Sequence, residues 1–311
     1  MSAGFRKNTS NAQAGGRPPA AIEIAPEGVL AAARPARKRS AGAGQAHVYA
    51  FAPLPAGAIV PGIEEPNLRE PEAVAAAIRS ALDEVSPRTR AVTVILPDTV
   101  VRVFVLDFDS LPSKPAEAIP VVRFRLRKMV PFEVEHAGVS YQTLSQSEAE
   151  VKVLAAVIPG PILAEYESAV RDAGYEPGAV LPSSLAALES LDSMEAIMAA
   201  NLGAHTITTS IATGQELLLY RTLDLPADAA ERTGEIQRTI AVASAYFEDR
   251  LGARPRTLYY AGIQDPEEFA ASIGNPELSV VDWAARPDQG ALTAIPQTSF
   301  AGVAGALAGA S

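Results

Sequence analysis

The stretch RKMVPFEVEHAGVSYQ, residues 127–142, changes character halfway along. A basic run of helical tendency meets Pro131, an aromatic (Phe132) follows, and then come acids, Gly138 and a β-type Val-Ser-Tyr-Gln. Proline cannot continue a helical ladder and biases the residue before it away from helix. The spacing therefore predicts a helix stopped at Pro131, a corner anchored by Phe132, and a sheet opening at Val139–Gln142. Upstream, KPAEAIPVVRFRLRKMV (114–130) reads as that helix, with Pro120 expected in its first turn. Val121, Phe124, Leu126, Met129 and Val130 give it an apolar side, and Arg123, Arg125, Arg127 and Lys128 a cationic one. Downstream, residues 137–159 alternate as two strands around a polar turn.

The remainder has a repeated plan. Residues 20–55 read as strand, turn at Pro26-Glu27-Gly28, strand, basic loop (Arg34, Arg37, Lys38, Arg39) and strand. A helix follows at 70–86, with Val74, Ile78 and Leu82 at i, i+4 and i+8, then two strands around Pro97-Asp98. After the corner come a helix closed by Gly174, a short strand near Ala179–Leu181 and another helix. Residues 196–226 give three more strands, followed by helix, strand, short helix and the strand SVVDW (279–283). The tail FAGVAGALAGAS (300–311) reads as a closing helix packed through small residues. Strand triplets followed by helices, twice over, predict a mixed α/β chain of two comparable halves. A doubly wound parallel fold would alternate strand and helix singly.

Composition narrows the function classes. The chain has 311 residues, enough for two lobes, and a net charge of −10, which argues against a nucleic-acid binder. With no Cys, disulfides and thiolate metal sites are excluded. His47, His136 and His205 are too scattered for a metal centre, and no metal is expected. No run approaches the ~20 apolar residues of a membrane span. The N-terminal residues lack a signal peptide's hydrophobic region, so a cytoplasmic protein is expected. The pairs Asp107/Asp109 and Glu133/Glu135 read as solvated edge charges, and no Gly-x-Ser-x-Gly element is present.

The hairpin openings at Ala21–Ala32 and Met198–Tyr220 resemble the duplicated lobes of the actin-like ATPase superfamily. Residues 111–144 and 153–180 resemble, more specifically, the type IV pilus assembly protein PilM family. That family has a helix ending in an Ile-Pro-Phe-like element, an acidic stretch, and a strand ending in an aromatic plus Gln. The resemblance implies an actin-like two-lobed fold. Residues 1–18 would be a disordered tail, 19–195 lobe I with an inserted helix-and-sheet subdomain at about 110–180, and 196–311 a reduced lobe II. It also implies a groove beside the inserted segment that holds the cytoplasmic peptide of an inner-membrane partner of PilN type. The candidates to line it are Phe124, Arg125, Arg127, Met129, Pro131, Phe132 and Tyr141.

The resemblance further implies two glycine turns facing a magnesium–triphosphate, and these are degraded here. In the first, Glu23 stands for the family's Asp, Ala25 for its Gly, Pro26 for its hydroxyl residue and Leu30 for its Lys. In the second, Gly203, Ala204 and Thr206 are kept, while Asn201 replaces Asp and His205 replaces Ser. Leu181 and Ser183 stand where acids are expected, and Gly262 alone survives of the adenosine loop. Only residues 226–234 occupy the place of a helical subdomain in lobe II. The expectation is a non-catalytic scaffold without cofactor, attached to the inner membrane through partners. The alternatives are a nucleotide-binding actin-like ATPase, or the cytoplasmic L-type component of a type II secretion system.

Overall fold

The structure, a computed structural model, describes residues 17–34, 47–147, 149–191, 195–214, 216–283 and 299–310. Residues 1–16, most of the tail expected to be disordered, and Arg37, Lys38 and Arg39 of the basic loop lie outside them. Arg17, assigned to that tail, instead pairs with Glu189.

Lobe I begins with β1 (Ala20–Ala25), β2 (Gly28–Ala33), β3 (Val48–Pro53), α1 (Pro71–Val85) and β4 (Ala91–Leu96). It ends with α3 (Gly160–Asp172), β8 (Glu176–Pro182) and α4 (Ser183–Leu188). Its sheet runs β3-β2-β1-β4-β8, with the first three strands antiparallel and the last two parallel to β1. Val74, Ile78 and Leu82 of α1 are fully buried against this sheet, as their spacing predicts. Burial of such side chains contributes roughly 1.5–3 kcal/mol each.

Lobe II repeats the plan with β9 (Ala196–Leu202), β10 (Thr206–Thr213), β11 (Glu216–Asp224), α5 (Ala229–Leu251), β12 (Thr257–Gly262), α6 (Pro266–Ile273) and β13 (Ser279–Asp282). Its order, β11-β10-β9-β12-β13, has the same sequence of antiparallel and parallel pairings. The two sheets are thus one design used twice. β11 passes to α5 through Leu225–Asp228 alone, and the Asp228 carboxylate caps the helix by accepting from the amides of Ala230 and Glu231.

The inserted module follows β4. It comprises β5 (Arg102–Phe108), α2 (Pro115–Leu126), β6 (Gly138–Gln146) and β7 (Val151–Ile158), with sheet order β5-β7-β6. It therefore spans 102–158 rather than about 110–180, because α3 packs on α1 and β8 joins the lobe I sheet. Two local expectations are corrected. Pro120 lies inside α2, whose first turn holds Pro115 instead. The helix also ends at Leu126, before Pro131, and Met129 N–H closes a tight turn on the Leu126 carbonyl at 2.8 Å. The last buried rung is Leu126, after which Val130, Phe132 and Val134 fold back onto the module core. The Arg123 guanidinium holds this return by donating to the carbonyls of Val134 and Ala137, so it belongs to the loop and not to a free cationic face.

The closing helix α7 (Ala301–Ala308) returns to lobe I. Phe300, Val303, Ala306 and Leu307 bury against Ala21, Leu30, Ala32, Ile95 and Ala186, on the sheet face opposite α1 and α3. α4 and α7 also bring Ala187, Leu188 and Ala301 onto Ile197, Ala199 and Ala261 of lobe II. These two helices are the floor between the lobes. Small residues allow the close approach: a Cβ on Gly305 would collide with the Ala186 carbonyl. Among the described residues, no helix is long and apolar enough to cross a membrane.

Candidate functional site

The duplicated sheets place the ends of β1, β4, β9 and β12 around one interlobe cleft of about 110 Å³. β1 turns at Pro26-Glu27 into Gly28, where a Cβ would lie 2.5 Å from the Ala52 carbonyl, and the φ of +158° is extended. β9 turns through Gly203, whose N–H donates to the Thr206 carbonyl at 2.8 Å. Glu23, Ala25, Pro26, Asn201, Gly203, Ala204, His205, Thr206 and Gly262 all line this cleft, so residues far apart in sequence converge on it.

Its polar groups are engaged with each other. Asp98, buried in a short 3-10 turn after β4, accepts from the Ser184 amide (3.0 Å) and Ser184 hydroxyl in lobe I. From lobe II it accepts from Thr208 Oγ1 and Tyr220 Oη, each at 2.9 Å. Burial, and then the Asp98 charge, keep the Tyr220 hydroxyl protonated, well above its ordinary range. Asn201 of lobe II donates from Nδ2 to Ser183 Oγ (3.2 Å) and Ser184 Oγ (3.1 Å), and Ser183 Oγ donates to Glu23 Oε1 at 2.6 Å. The two lobes are thus cross-linked by a chain of hydrogen bonds that runs through Glu23, Asp98, Ser183 and Asn201 of the cleft lining.

Glu23 is the incompletely satisfied member. Alternation along β1 turns it, with Ala21, toward α7. There a Cβ on Gly302 would lie 2.5 Å from Oε2, which has no hydrogen-bond partner. Desolvation, opposed by the Ser183 bond and reinforced by the charges of Asp98 and Glu27, pushes its pKa up to about 7.

These residues do not fit a magnesium–triphosphate. Pro26 removes an amide donor from the first turn. Asp98, the buried aspartate of the cleft, already accepts four hydrogen bonds. The volume is about a third of the ~300 Å³ at which ligand pockets begin. Leu30, at the expected lysine position, is buried in the core. No group of three or more His, Asp or Glu able to hold a metal occurs among the described residues. The sequence reading missed Asp98, Ser184, Thr208 and Tyr220. Asp98 reads locally as an ordinary turn residue after proline, and only the fold brings its donors to it.

The partner candidates fall in three places. Pro131 and Phe132 line a shallow hollow with Arg127, Val130, Glu133, Val134, Glu135 and His136, and the Arg127–Glu135 ion pair lies at its side. Tyr141 is half-buried on the module core. Phe124, Arg125 and Met129 instead face solvent on and just after α2. Asp107, Asp109, Glu133 and Glu135 are all exposed.

No protein-family profile matches the sequence, and no curated protein does. Solved structures are similar in fold. A chain of the PilM–PilN type IV pilus biogenesis complex aligns with a TM-score of 0.67 at 21% identity, covering 94% of this chain and 98% of that one. The cytoplasmic domain of EpsL, an inner-membrane component of the type II secretion system of Vibrio cholerae, aligns with a TM-score of 0.50 at 13% identity, covering 87% and 89%. With two sheets of identical topology around a cleft, and a small module inserted in the first lobe, the chain has the two-lobed actin-like fold and closely follows the build of the chain in the PilM–PilN complex.

Proposed function

We propose that this protein is a non-catalytic scaffold of a type IV pilus or related secretion machine, working at the cytoplasmic face of the inner membrane. It binds there the cytoplasmic peptide of a PilN-type inner-membrane partner. The observation that carries this reading is the occupation of the cleft by the chain's own bonds: Asp98 and Asn201 join lobe to lobe where a nucleotide would be gripped. The fold is retained as a rigid frame. The inserted module offers a hollow beside Phe132 and an outer strand, β6, at the edge of its sheet. An extended peptide can pair its backbone with such an edge and seat alternate side chains in the hollow.

The test titrates the full chain with labelled N-terminal peptides of the pilus and secretion inner-membrane partners, and separately with a fluorescent ATP analogue plus magnesium. Saturable peptide binding that is lost in Phe132→Ala and in the surface variant Glu133→Lys supports the reading. Both variants are checked by circular dichroism. ATP turnover overturns the non-catalytic assignment. Peptide binding unchanged in a folded Glu133→Lys, Phe132→Ala double variant overturns the site.

A further inference from the structure

We propose that the outward face of α2 is a membrane-contact surface that seats on a bilayer containing anionic lipid. Val121, Phe124, Arg125 and Lys128 follow i, i+3, i+4 and i+7, which puts them on one side of the helix and its continuing turn, and Met129 extends the patch. Val121 is 38% exposed, Phe124 67% and Met129 42%. They are three of the six large apolar side chains left exposed among the described residues, so half of these residues fall within nine positions. The opposite side of α2, with Ala118, Val122 and Leu126, is buried, Val122 and Leu126 in the module core.

Charge identifies the occupant. Between Glu117 and Glu133 the chain carries Arg123, Arg125, Arg127 and Lys128 and no acid, in a protein whose net charge is −10. Arg123 is spent on the loop carbonyls and Arg127 on Glu135, with its guanidinium 6.0 Å from the Phe124 ring. Arg125 and Lys128 have no ion-pair partner among the described residues. An apolar ridge flanked by free cations is complementary to an anionic headgroup layer, which takes in protruding aromatic and aliphatic side chains while basic groups meet phosphate. A peptide ligand is held by a strand edge, a groove or pockets, and the hollow nearby is lined by Arg127 and residues 130–136, not by Phe124, Arg125, Lys128 or Met129. The inference is therefore independent of the peptide reading, which uses that hollow.

The experiment is co-sedimentation of the full chain with phosphatidylcholine vesicles, with and without phosphatidylglycerol, in the absence of any partner. Binding is expected only with phosphatidylglycerol. It should fall about tenfold or more in the Arg125→Glu, Lys128→Glu double variant and at high salt. Phe124→Trp supplies a local reporter against the buried Trp283: its emission should shift to the blue on vesicles and be quenched by brominated lipid. Because these side chains are exposed, far-ultraviolet circular dichroism should not change. The proposal is overturned by absence of vesicle binding at low salt, by equal binding to both vesicle types, or by a charge-reversed variant that binds like the parent. Binding of an acidic partner peptide at Phe124→Trp without any vesicle binding would assign the face to protein and would equally overturn it.

Discussion

Replacing Glu23 by Gln is expected to stabilise the protein at pH 8 and to leave it nearly unchanged at or below pH 4.5. Glu23 lies in the sheet with one carboxylate oxygen bonded to Ser183 and the other bonded to nothing. Desolvation is the largest cause of the rise in its pKa from the ordinary 4.5 to about 7. The folded state therefore keeps a proton that the unfolded chain releases. This contribution to stability is complete below about 4.5 and is lost as pH rises through about 7. At 1.36 kcal/mol per pH unit, the interval of about 2.5 corresponds to roughly 3 kcal/mol, most of it lost between pH 4.5 and 7. Gln keeps an acceptor for the Ser183 hydroxyl but carries no charge to bury. The assay is urea unfolding of both proteins at a series of pH values from 4.5 to 8. The difference in unfolding free energy should grow in favour of Glu23→Gln as pH rises. Parallel curves, or a parent protein that gains on the variant with rising pH, would refute the reasoning about a dehydrated carboxylate against α7.

Asp98→Ala should destabilise by about 3–5 kcal/mol, because it strands buried donors on Ser184, Thr208 and Tyr220. Since two of these donors belong to lobe II, small-angle scattering should show the lobes opening, and proteases should gain access to the cleft; an unchanged unfolding midpoint would contradict the clasp. Gly305→Ala should cost about 1–3 kcal/mol by forcing α7 away from the Ala186 carbonyl, read as a lowered melting temperature.

Much of the fold is legible in the sequence because its elements carry strong local signals. The i, i+4, i+8 spacing of Val74, Ile78 and Leu82 identifies α1, and the alternation across residues 137–159 identifies the β6–β7 hairpin. The repetition of strand triplets exposes the duplicated design before any coordinates. Boundaries set by tertiary contact were less legible. Pro131 marks the visible break, yet α2 ends at Leu126 because the chain must double back to bring Val134 beneath it. The cleft positions could be named one by one from motif spacing. The Asp98 network could not, since its donors come from positions 184, 208 and 220 and carry no local signature. Phe124 and Met129 read as an apolar side of a helix, and sequence period alone does not say that this side faces outward.

The placement of α7 has a consequence for how the polypeptide matures. The lobe I sheet is built from residues 20–182, but on one of its faces only α4 lies in place until Phe300, Val303 and Leu307 arrive. During synthesis the first lobe can form its strands and its α1–α3 layer, while Ala21, Leu30, Ala32 and Ile95 wait for a cover encoded after the whole second lobe. A nascent chain halted between the lobes would display that greasy sheet face to chaperones, and its assembly is completed by a segment translated after the second lobe.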